Sequence, residues 1–81
     1  WKAVPDDDFD DEITRVSEHL AQGPTLAYAR TKQAILAAEE NDFATSIELE
    51  CELQAELGFS KDYEEGVNAF KEKRPAVFHG R

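Results

Sequence analysis

The sequence predicts an all-α protein, a small bundle of three to four helices with an extended C-terminal arm. Apolar residues recur at intervals of three and four in four successive segments, which is the period of an α-helix. Glycine and proline separate these segments, and residues that cap helices stand at their starts. The short connections favour helices packed in one compact unit. A chain of 81 residues, 41% hydrophobic and 33% charged, can form one small domain with a thin core.

The first helix is predicted over roughly residues 8–21. The aspartates at positions 6–8 are expected to cap its start and to interact favourably with the helix dipole. Gly23 closes this helix, and Pro24 opens the next because its fixed φ suits the first helical position. We therefore expect a sharp kink between the two helices. The apolar stripe of the first helix consists of Phe9, Ile13, Val16 and Leu20.

The second and third helices are predicted over roughly residues 24–39 and 43–57. The second is rich in alanine, which permits close packing on more than one side. Asn41 or Asp42 caps the third helix, and Gly58 ends it. The apolar residues of the third helix cover an arc of about 200°, which indicates two packing partners.

The fourth helix starts at Ser60 and carries acidic residues in its first turn, where the dipole favours them. Pro75 stops it, because the residue before a proline avoids helical angles. Residues 76–81 are expected to continue as an extended arm. The apolar stripe of this helix consists of Tyr63, Val67 and Phe70.

Glu50 and Gln54 lie one helical turn apart within the apolar arc of the third helix. In a functional interpretation, the carboxyl group acts as an acid or base in a pocket. In a structural interpretation, both side chains hydrogen-bond to a neighbouring helix end or a basic residue. We favour the structural interpretation, because no nucleophile, metal ligand or oxyanion donor accompanies them.

No pattern in the sequence predicts a metal site or intrinsic catalysis. His19 and His79 are far apart, and neither has a Cys or His at the spacing of metal ligands. The four glycines are isolated, so the chain has neither a phosphate-binding loop nor a nucleophile elbow. Cys51 is expected to pack as a small apolar side chain. A single cysteine fits a reducing compartment, the cytoplasm or alternatively the mitochondrion.

The charge of the chain is uneven. Residues 1–70 carry five basic and seventeen acidic side chains, a net charge of −12, whereas residues 71–81 carry +3. Nucleic-acid binding needs a broad basic surface, so it is not expected. A membrane span is not expected either, because no run of eighteen apolar residues occurs. A small phosphorylated ligand at the basic C-terminal segment is compatible with this distribution.

The basic segment contains an aromatic residue, Phe70, beside Lys71, Lys73 and Arg74. An exposed aromatic ring can stack on a purine while neighbouring cations neutralise phosphate. The alternative is that Phe70 belongs to the core and the cations only complement the negative end of the helix dipole. The local pattern by itself favours this alternative.

Three ordered groups of residues resemble the C-terminal part of the crotonase superfamily, to which the enoyl-CoA hydratases and isomerases belong. Leu20–Lys32 resembles the element in which a Gly-Pro kink precedes an alanine-rich helix and a Thr-Lys pair. Leu49, Glu50 and Gln54 continue the match. The remainder comprises Ser60, Asp62, Glu65–Val67, Ala69, Phe70, Glu72–Pro75, Phe78, Gly80 and Arg81.

The resemblance implies a helical domain of an acyl-CoA enzyme whose core is absent from this chain. In that family the core binds an acyl-CoA thioester as substrate, holds its carbonyl in an oxyanion hole and stabilises an enolate. The resemblance assigns Phe70 and Lys73 to binding the adenosine and phosphate end of CoA. It implies a homo-oligomer, a trimer or hexamer in the parent enzyme. No catalytic residue, metal or further cofactor is assigned to these residues.

On this interpretation residues 1–7 are the end of the missing core and its linker, and residues 8–81 are the C-terminal helical domain. The absence of methionine, including at position 1, agrees with sequence lost upstream. The isolated chain is then expected to be inactive, and helix faces left uncovered should self-associate.

Two choices stay open at the level of sequence. The parent reaction is either hydration of an enoyl-CoA or an isomerisation, since the Gly-Pro-Thr step, the Asp62-Tyr63 pair and the Phe78–Arg81 segment also resemble isomerases. The competing hypothesis is a free-standing acidic helical module whose apolar arcs bind a partner protein.

Overall fold

The computed structural model describes residues 2–81, and within them it contains four α-helices and no strand. A single 3-10 turn, Asp6–Asp8, precedes the first helix, and residues 73–81 form an irregular C-terminal segment. The predicted all-α class and the arm are therefore confirmed. The helices are α1 (Phe9–Ala21), α2 (Thr25–Ala38), α3 (Phe43–Gly58) and α4 (Lys61–Glu72).

Two of the predicted helix caps are present. The Asp42 carboxylate accepts a hydrogen bond from the Thr45 N–H at 2.8 Å. Hydrogen bonding to the Thr45 side chain, and then to its backbone, lowers the pKa of that carboxyl group. The Ser60 hydroxyl accepts from the Tyr63 N–H at 3.1 Å. Each bond satisfies one of the backbone donors that the first turn of a helix leaves free.

The predicted aspartate cap of α1 is wrong in its mechanism. Asp8 precedes α1 with φ −97° and ψ 0°, and its side chain makes no capping hydrogen bond. A capping residue normally has an extended backbone, whereas this one continues a 3-10 turn. The acidic first turn of Asp10, Asp11 and Glu12 still favours the helix start through the dipole.

The end of α4 is a Schellman motif. The Lys73 N–H donates to the Phe70 carbonyl at 3.3 Å, and the Arg74 N–H donates to the Ala69 carbonyl at 3.1 Å. Lys73 has a φ of 53°, in the left-handed region that glycine usually occupies in this motif. The helix thus ends before Arg74, the residue whose backbone Pro75 restricts. The proline therefore follows the end of the helix and does not cause it.

The α1–α2 junction is fixed by the contact of Gly23 with Tyr28. A methyl group placed on Gly23 would lie 2.7 Å from the Tyr28 Cζ atom, so a larger residue would displace the ring. The prediction that Pro24 occupies the first helical position is wrong: it is the N-cap residue of α2, with φ −74° and ψ 79°, and the helix begins at Thr25. The sharp kink between the two helices stays a prediction.

Packing between helices is confined to part of the chain. α2 lies against α3, and α3 contacts α4, whereas α1 contacts mainly the 3-10 turn before it. Between α2 and α3, the Arg30 guanidinium holds the Glu56 carboxylate through two hydrogen bonds, the longer of which is 2.9 Å.

The expectation of one compact unit is wrong. The radius of gyration is 16.1 Å, whereas a compact domain of this length has about 12 Å. The molecule measures 46 × 37 × 17 Å. Leu53 and Ala69 are the buried hydrophobic residues within 2–81, at 8% and 2% exposure. The apolar stripes exist, but α1 carries its stripe away from the other helices.

Of residues 1–7, Trp1 lies outside the described residues, and Lys2–Pro5 have no regular secondary structure. Their assignment to the end of a core strand stays a prediction, as does the domain boundary. No helix within residues 2–81 has the length and apolar character that crossing a lipid bilayer requires.

Candidate functional site

One concave feature of the described chain is an apolar groove of about 800 Å³. The start of α2, the end of α3 and one side of α4 form its walls, and the C-terminal segment adds a further wall through Phe78. A cleft of this size, walled mostly by apolar side chains, has the usual properties of a small-molecule site. The side chains around it include Leu26, Ala27, Leu57, Tyr63, Val67, Phe70, Lys71 and Phe78.

The predicted CoA-binding residues, Phe70 and Lys73, both lie at the end of α4. Phe70 lines the groove and is 86% exposed, so it is not a core residue. Lys73 is exposed and follows the last residue of α4 in its left-handed conformation. The structure thus brings the aromatic ring and the cation to one helix end, and their role in binding stays a prediction.

The other cations of this segment differ in availability. Lys71 lines the groove. Arg74 does not: its guanidinium forms two hydrogen bonds with Glu65, at 2.6 and 3.1 Å, and one with Glu72 at 2.6 Å. These bonds raise the pKa of Arg74, with Glu65 the larger cause. Arg74 therefore serves the fold. Arg81 lies beside Asp62 at the other end of α4, so Lys71 and Lys73 are the cations left for a phosphate at this helix end.

Glu65 is the acidic side of this arrangement. It accepts from Arg74 and also from the Val77 N–H, at 2.9 Å. Hydrogen bonding to Arg74, and then to the Val77 N–H, lowers the pKa of Glu65 from 4.5 to about 2. The carboxylate is consequently ionised over the whole physiological range and ties the C-terminal segment to α4.

Asp62 is a residue whose role the sequence did not reveal. Its side chain is buried, at 5% exposure, and its two oxygens accept from the backbone N–H groups of His79 and Gly80, each at 2.8 Å. From the sequence it was interpreted as an acidic residue favoured by the dipole of α4 and as one member of the family resemblance, with no partner assigned to it. Its actual partners lie 17 and 18 positions away, so local pattern gave no signal for them.

Glu50 and Gln54 do not have the hydrogen-bond partners that the structural interpretation expected. Both are exposed, and neither side chain makes a hydrogen bond within residues 2–81. They border a small depression of about 260 Å³ between α2 and α3, beside Ile35 and Leu53. Its wall contains one hydroxyl, that of Thr31, which donates to the Ala27 carbonyl at 2.9 Å, and one acid, Glu50. No hydrogen bond joins these two side chains within residues 2–81, so the geometry offers no catalytic arrangement.

The remaining candidate residues give no site in the described part of the chain. Cys51 is exposed, so the expectation that it packs in the interior is wrong. Across residues 2–81, no three side chains of His, Cys, Asp or Glu converge in a way that would hold a metal ion.

Comparison with known proteins gives a family match over the whole chain. The profile of the enoyl-CoA hydratase/isomerase family matches residues 1–81. A probable enoyl-CoA hydratase of Rhodobacter capsulatus is 48% identical over 81 residues, which is all of this chain and 32% of that protein. The 1,2-epoxyphenylacetyl-CoA isomerase of Escherichia coli is 41% identical over the same length, 31% of that protein.

A solved structure agrees with the sequence matches. The crystal structure of an enoyl-CoA hydratase from Geobacillus kaustophilus superimposes with a TM-score of 0.85 at 32% identity. The superposition covers 95% of this chain and 29% of the other. The chain therefore spans about a third of the length of the proteins it matches.

Proposed function

Because this chain belongs to the enoyl-CoA hydratase/isomerase family, we propose that it is the C-terminal helical part of an acyl-CoA-processing enzyme. Its role in that enzyme is to provide subunit contacts and to hold the nucleotide end of the CoA thioester. The chain spans about a third of its relatives, and the catalytic groups belong to the remainder. The relatives include both a hydratase and an isomerase, so the reaction is one of these two.

The observation that carries the proposal is the nearly absent core. Two buried hydrophobic residues within 2–81 are a small core against the conformational entropy that four ordered helices lose on folding. The stripe of α1 is about half exposed, with Phe9 at 55%, Ile13 at 48% and Leu20 at 47%. Such surface calls for another polypeptide to cover it. The rest of the enzyme and its neighbouring subunits are the covering that we propose.

The CoA contact rests on the end of α4. Phe70 offers an uncovered ring at the edge of an apolar groove, as a stacking partner for adenine requires. Lys71 and Lys73 stand on either side of the last helical residue, and neither takes part in an ion pair within residues 2–81. A cation that is not already paired can neutralise a CoA phosphate at small cost.

A binding experiment on the longer protein, by which we mean the whole enzyme that is proposed to contain this chain, tests this role. Lys73→Ala and Phe70→Ala should each raise the Kd for CoA about tenfold, the loss of one charge-assisted or stacking contact. Lys61→Ala is the matched control, because Lys61 is an exposed lysine on the same helix, about 18 Å from Lys73. Unchanged affinity in both test variants, or equal loss in the control, contradicts the assignment.

The subunit-contact role has its own test. With its stripes exposed, the 81-residue chain should self-associate, so its sedimentation coefficient should rise with concentration in the micromolar range. A single monomeric boundary across a hundredfold concentration range contradicts this part of the proposal.

A second candidate function is a free-standing acidic helical module that binds a partner protein. The exposed stripe of α1 and the net charge of −9 favour it. It predicts no dependence of any activity on CoA and no effect of Lys73→Ala, so the same titration separates the two. We further propose a reducing compartment, the cytoplasm, to which the exposed thiol of Cys51 is suited.

A further inference from the structure

The C-terminal segment Pro75–Arg81, here called the strap, runs back along α4 towards its start. The Val77 N–H reaches Glu65 in the second turn of the helix. The His79 and Gly80 N–H groups reach Asp62 in the first turn. Later residues of the strap therefore bond to earlier residues of α4, so the strap runs antiparallel to the helix.

Asp62 joins the helix to the strap in both directions. Its carboxylate accepts two strap N–H groups, and its own backbone N–H donates to the Arg81 backbone oxygen at 2.8 Å. That N–H belongs to the first helical turn, where it has no partner inside the helix. A buried carboxylate is costly unless its oxygens are satisfied, and all the side-chain hydrogen bonds of Asp62 within residues 2–81 go to the strap.

The apolar side chains of the strap are incompletely covered, since Val77 is 60% exposed and Phe78 is only partly buried. Phe78 lies over Gly66, where an added methyl group would be 3.7 Å from the ring. Gly80, with φ +74°, lies against Thr25 at the start of α2, so close that an added methyl group would be 2.6 Å from the Thr25 Oγ1 atom. The polar part of the attachment comes from the carboxylates of Asp62 and Glu65 and from the backbone N–H of Asp62.

The strap also builds part of the groove. Phe78 lines the groove on one side, and Gly80 connects the strap to the start of α2, which lines another. Direct packing between α2 and α4 is slight compared with the α2–α3 contact. The strap is thus the element that links the α4 wall of the groove to its α2 wall.

We propose that the strap is a detachable element fastened by Asp62, and that its docked state sets the shape of the groove. Asp62 is accordingly a positioning residue, which acts on a bound ligand through the strap. The Schellman motif ends α4 before the strap begins, so the helix does not depend on the strap for its termination. A chain-terminal segment whose apolar side chains are partly exposed can open locally while the rest of the fold remains. The identification of the ligand as a CoA thioester rests on the function proposed above, whereas the detachment of the strap does not.

Hydrogen–deuterium exchange on the longer protein tests the detachment. In Asp62→Asn, an NH₂ group replaces one acceptor oxygen and opposes a backbone N–H, so peptides covering residues 76–81 should exchange about tenfold faster. Peptides of α2 and α3 should be unchanged. Glu64→Gln is the control, since this exposed neighbour bonds only to Lys61 within residues 2–81 and should leave the strap unaltered. Unchanged strap exchange, or a uniform rise in every helix, overturns the proposal.

A second variant approaches the same contact from the strap. Gly80→Ala combines a strained φ with the clash against Thr25, and it should release the strap to a similar extent. If either variant frees the strap, the Kd for CoA should rise severalfold in that variant. A freed strap with unchanged CoA affinity overturns the effect on the groove. If Asp62→Asn or Gly80→Ala speeds exchange of the strap while Lys73→Ala and Phe70→Ala leave the Kd for CoA unchanged, the proposed function is contradicted and the detachment of the strap is not.

Discussion

The first and last helices carry apolar stripes of the same kind, yet their surroundings differ. α4 contacts α3 and the strap, and its Asp62 and Ala69 are buried. α1 contacts mainly the 3-10 turn before it and leaves Phe9, Ile13 and Leu20 about half exposed. The helical period of a sequence therefore predicts which face of a helix is apolar. It does not predict whether that face packs against the same chain or against another polypeptide. At the face that carries Asp62 and Ala69, α4 is completed from within, although its Tyr63 and Phe70 are 57% and 86% exposed. α1 has no buried residue and calls for another polypeptide.

The largest effect on stability that would test this difference between α1 and α4 is expected for a substitution in α1 of the longer protein. Ile13→Ala should lower its free energy of unfolding by about 2–4 kcal/mol, the cost of a cavity in a covered core. In the 81-residue chain the same change should cost less than about 1 kcal/mol, because Ile13 is 48% exposed there. Urea denaturation of both polypeptides measures the difference.

Glu18→Ala is the control for that comparison, because Glu18 lies on the opposite face of α1 and is exposed. It should shift stability by less than about 0.5 kcal/mol in either context. Equal effects of Ile13→Ala in both polypeptides would mean that nothing covers α1.

The contrast predicts the opposite behaviour for α4. Ala69 is 2% exposed, so Ala69→Leu should overpack its site and cost about 1–3 kcal/mol in the chain alone as well as in the longer protein. Asn68→Leu, at an exposed position of the same helix, serves as the control and should be nearly neutral. A neutral Ala69→Leu in the 81-residue chain would show that α4 is not completed from within.

A smaller, local effect concerns pH. The bonds to Arg74 and Val77 lower the pKa of Glu65 to about 2 from an ordinary 4.5, so the stabilisation is fully present above pH 4.5. It should fall as the pH drops below 4.5 and be lost below about 2. The amide resonance of Val77, followed by NMR from pH 6 to pH 2, reports the release of the carboxylate.

Glu65→Gln should abolish that pH-dependent shift of Val77, whereas Glu64→Gln should leave it unchanged. Release of Val77 near pH 6, or its retention in Glu65→Gln with the same titration, would rule out Glu65 as the fastening group at this point of the strap.

The smallest effect is expected at the helix end. Lys73→Gly removes the strain of a left-handed lysine and should raise stability by up to about 1 kcal/mol. Lys71→Gly, inside the last turn, should lower it by about 1 kcal/mol. Thermal unfolding of the two variants gives the comparison. Because Lys73→Gly also removes the proposed CoA contact, a more stable but more weakly binding variant would separate the two roles of this position.

Much of the local structure could be predicted from the sequence, because its causes are local. The spacing of apolar residues gave the four helices, and Asp42 and Ser60 gave two caps within three residues of their partners. The backbone of Asp8 could not be predicted, because an aspartate run fits a capping residue and a 3-10 turn equally well. The left-handed Lys73 was missed for a similar reason, since no glycine marks the position.

The candidate site was predictable only in part. Phe70 and Lys73 follow from a resemblance between ordered motifs, and the structure adds that they share one helix end beside a groove. The fastening of the strap by Asp62 could not be predicted, because its partners are 17 and 18 residues away and are backbone groups without a side-chain signature. The open shape escaped prediction because amphipathic helices have the same sequence pattern whatever covers them.

Hydrogen–deuterium exchange of residues 9–21, compared between the 81-residue chain and the longer protein, tests the central claim most directly. We expect α1 to exchange almost freely in the chain alone and to become protected in the longer protein, while α4 is protected in both. Equal protection of α1 in the two polypeptides would contradict the claim that a separate part of the enzyme completes this fold.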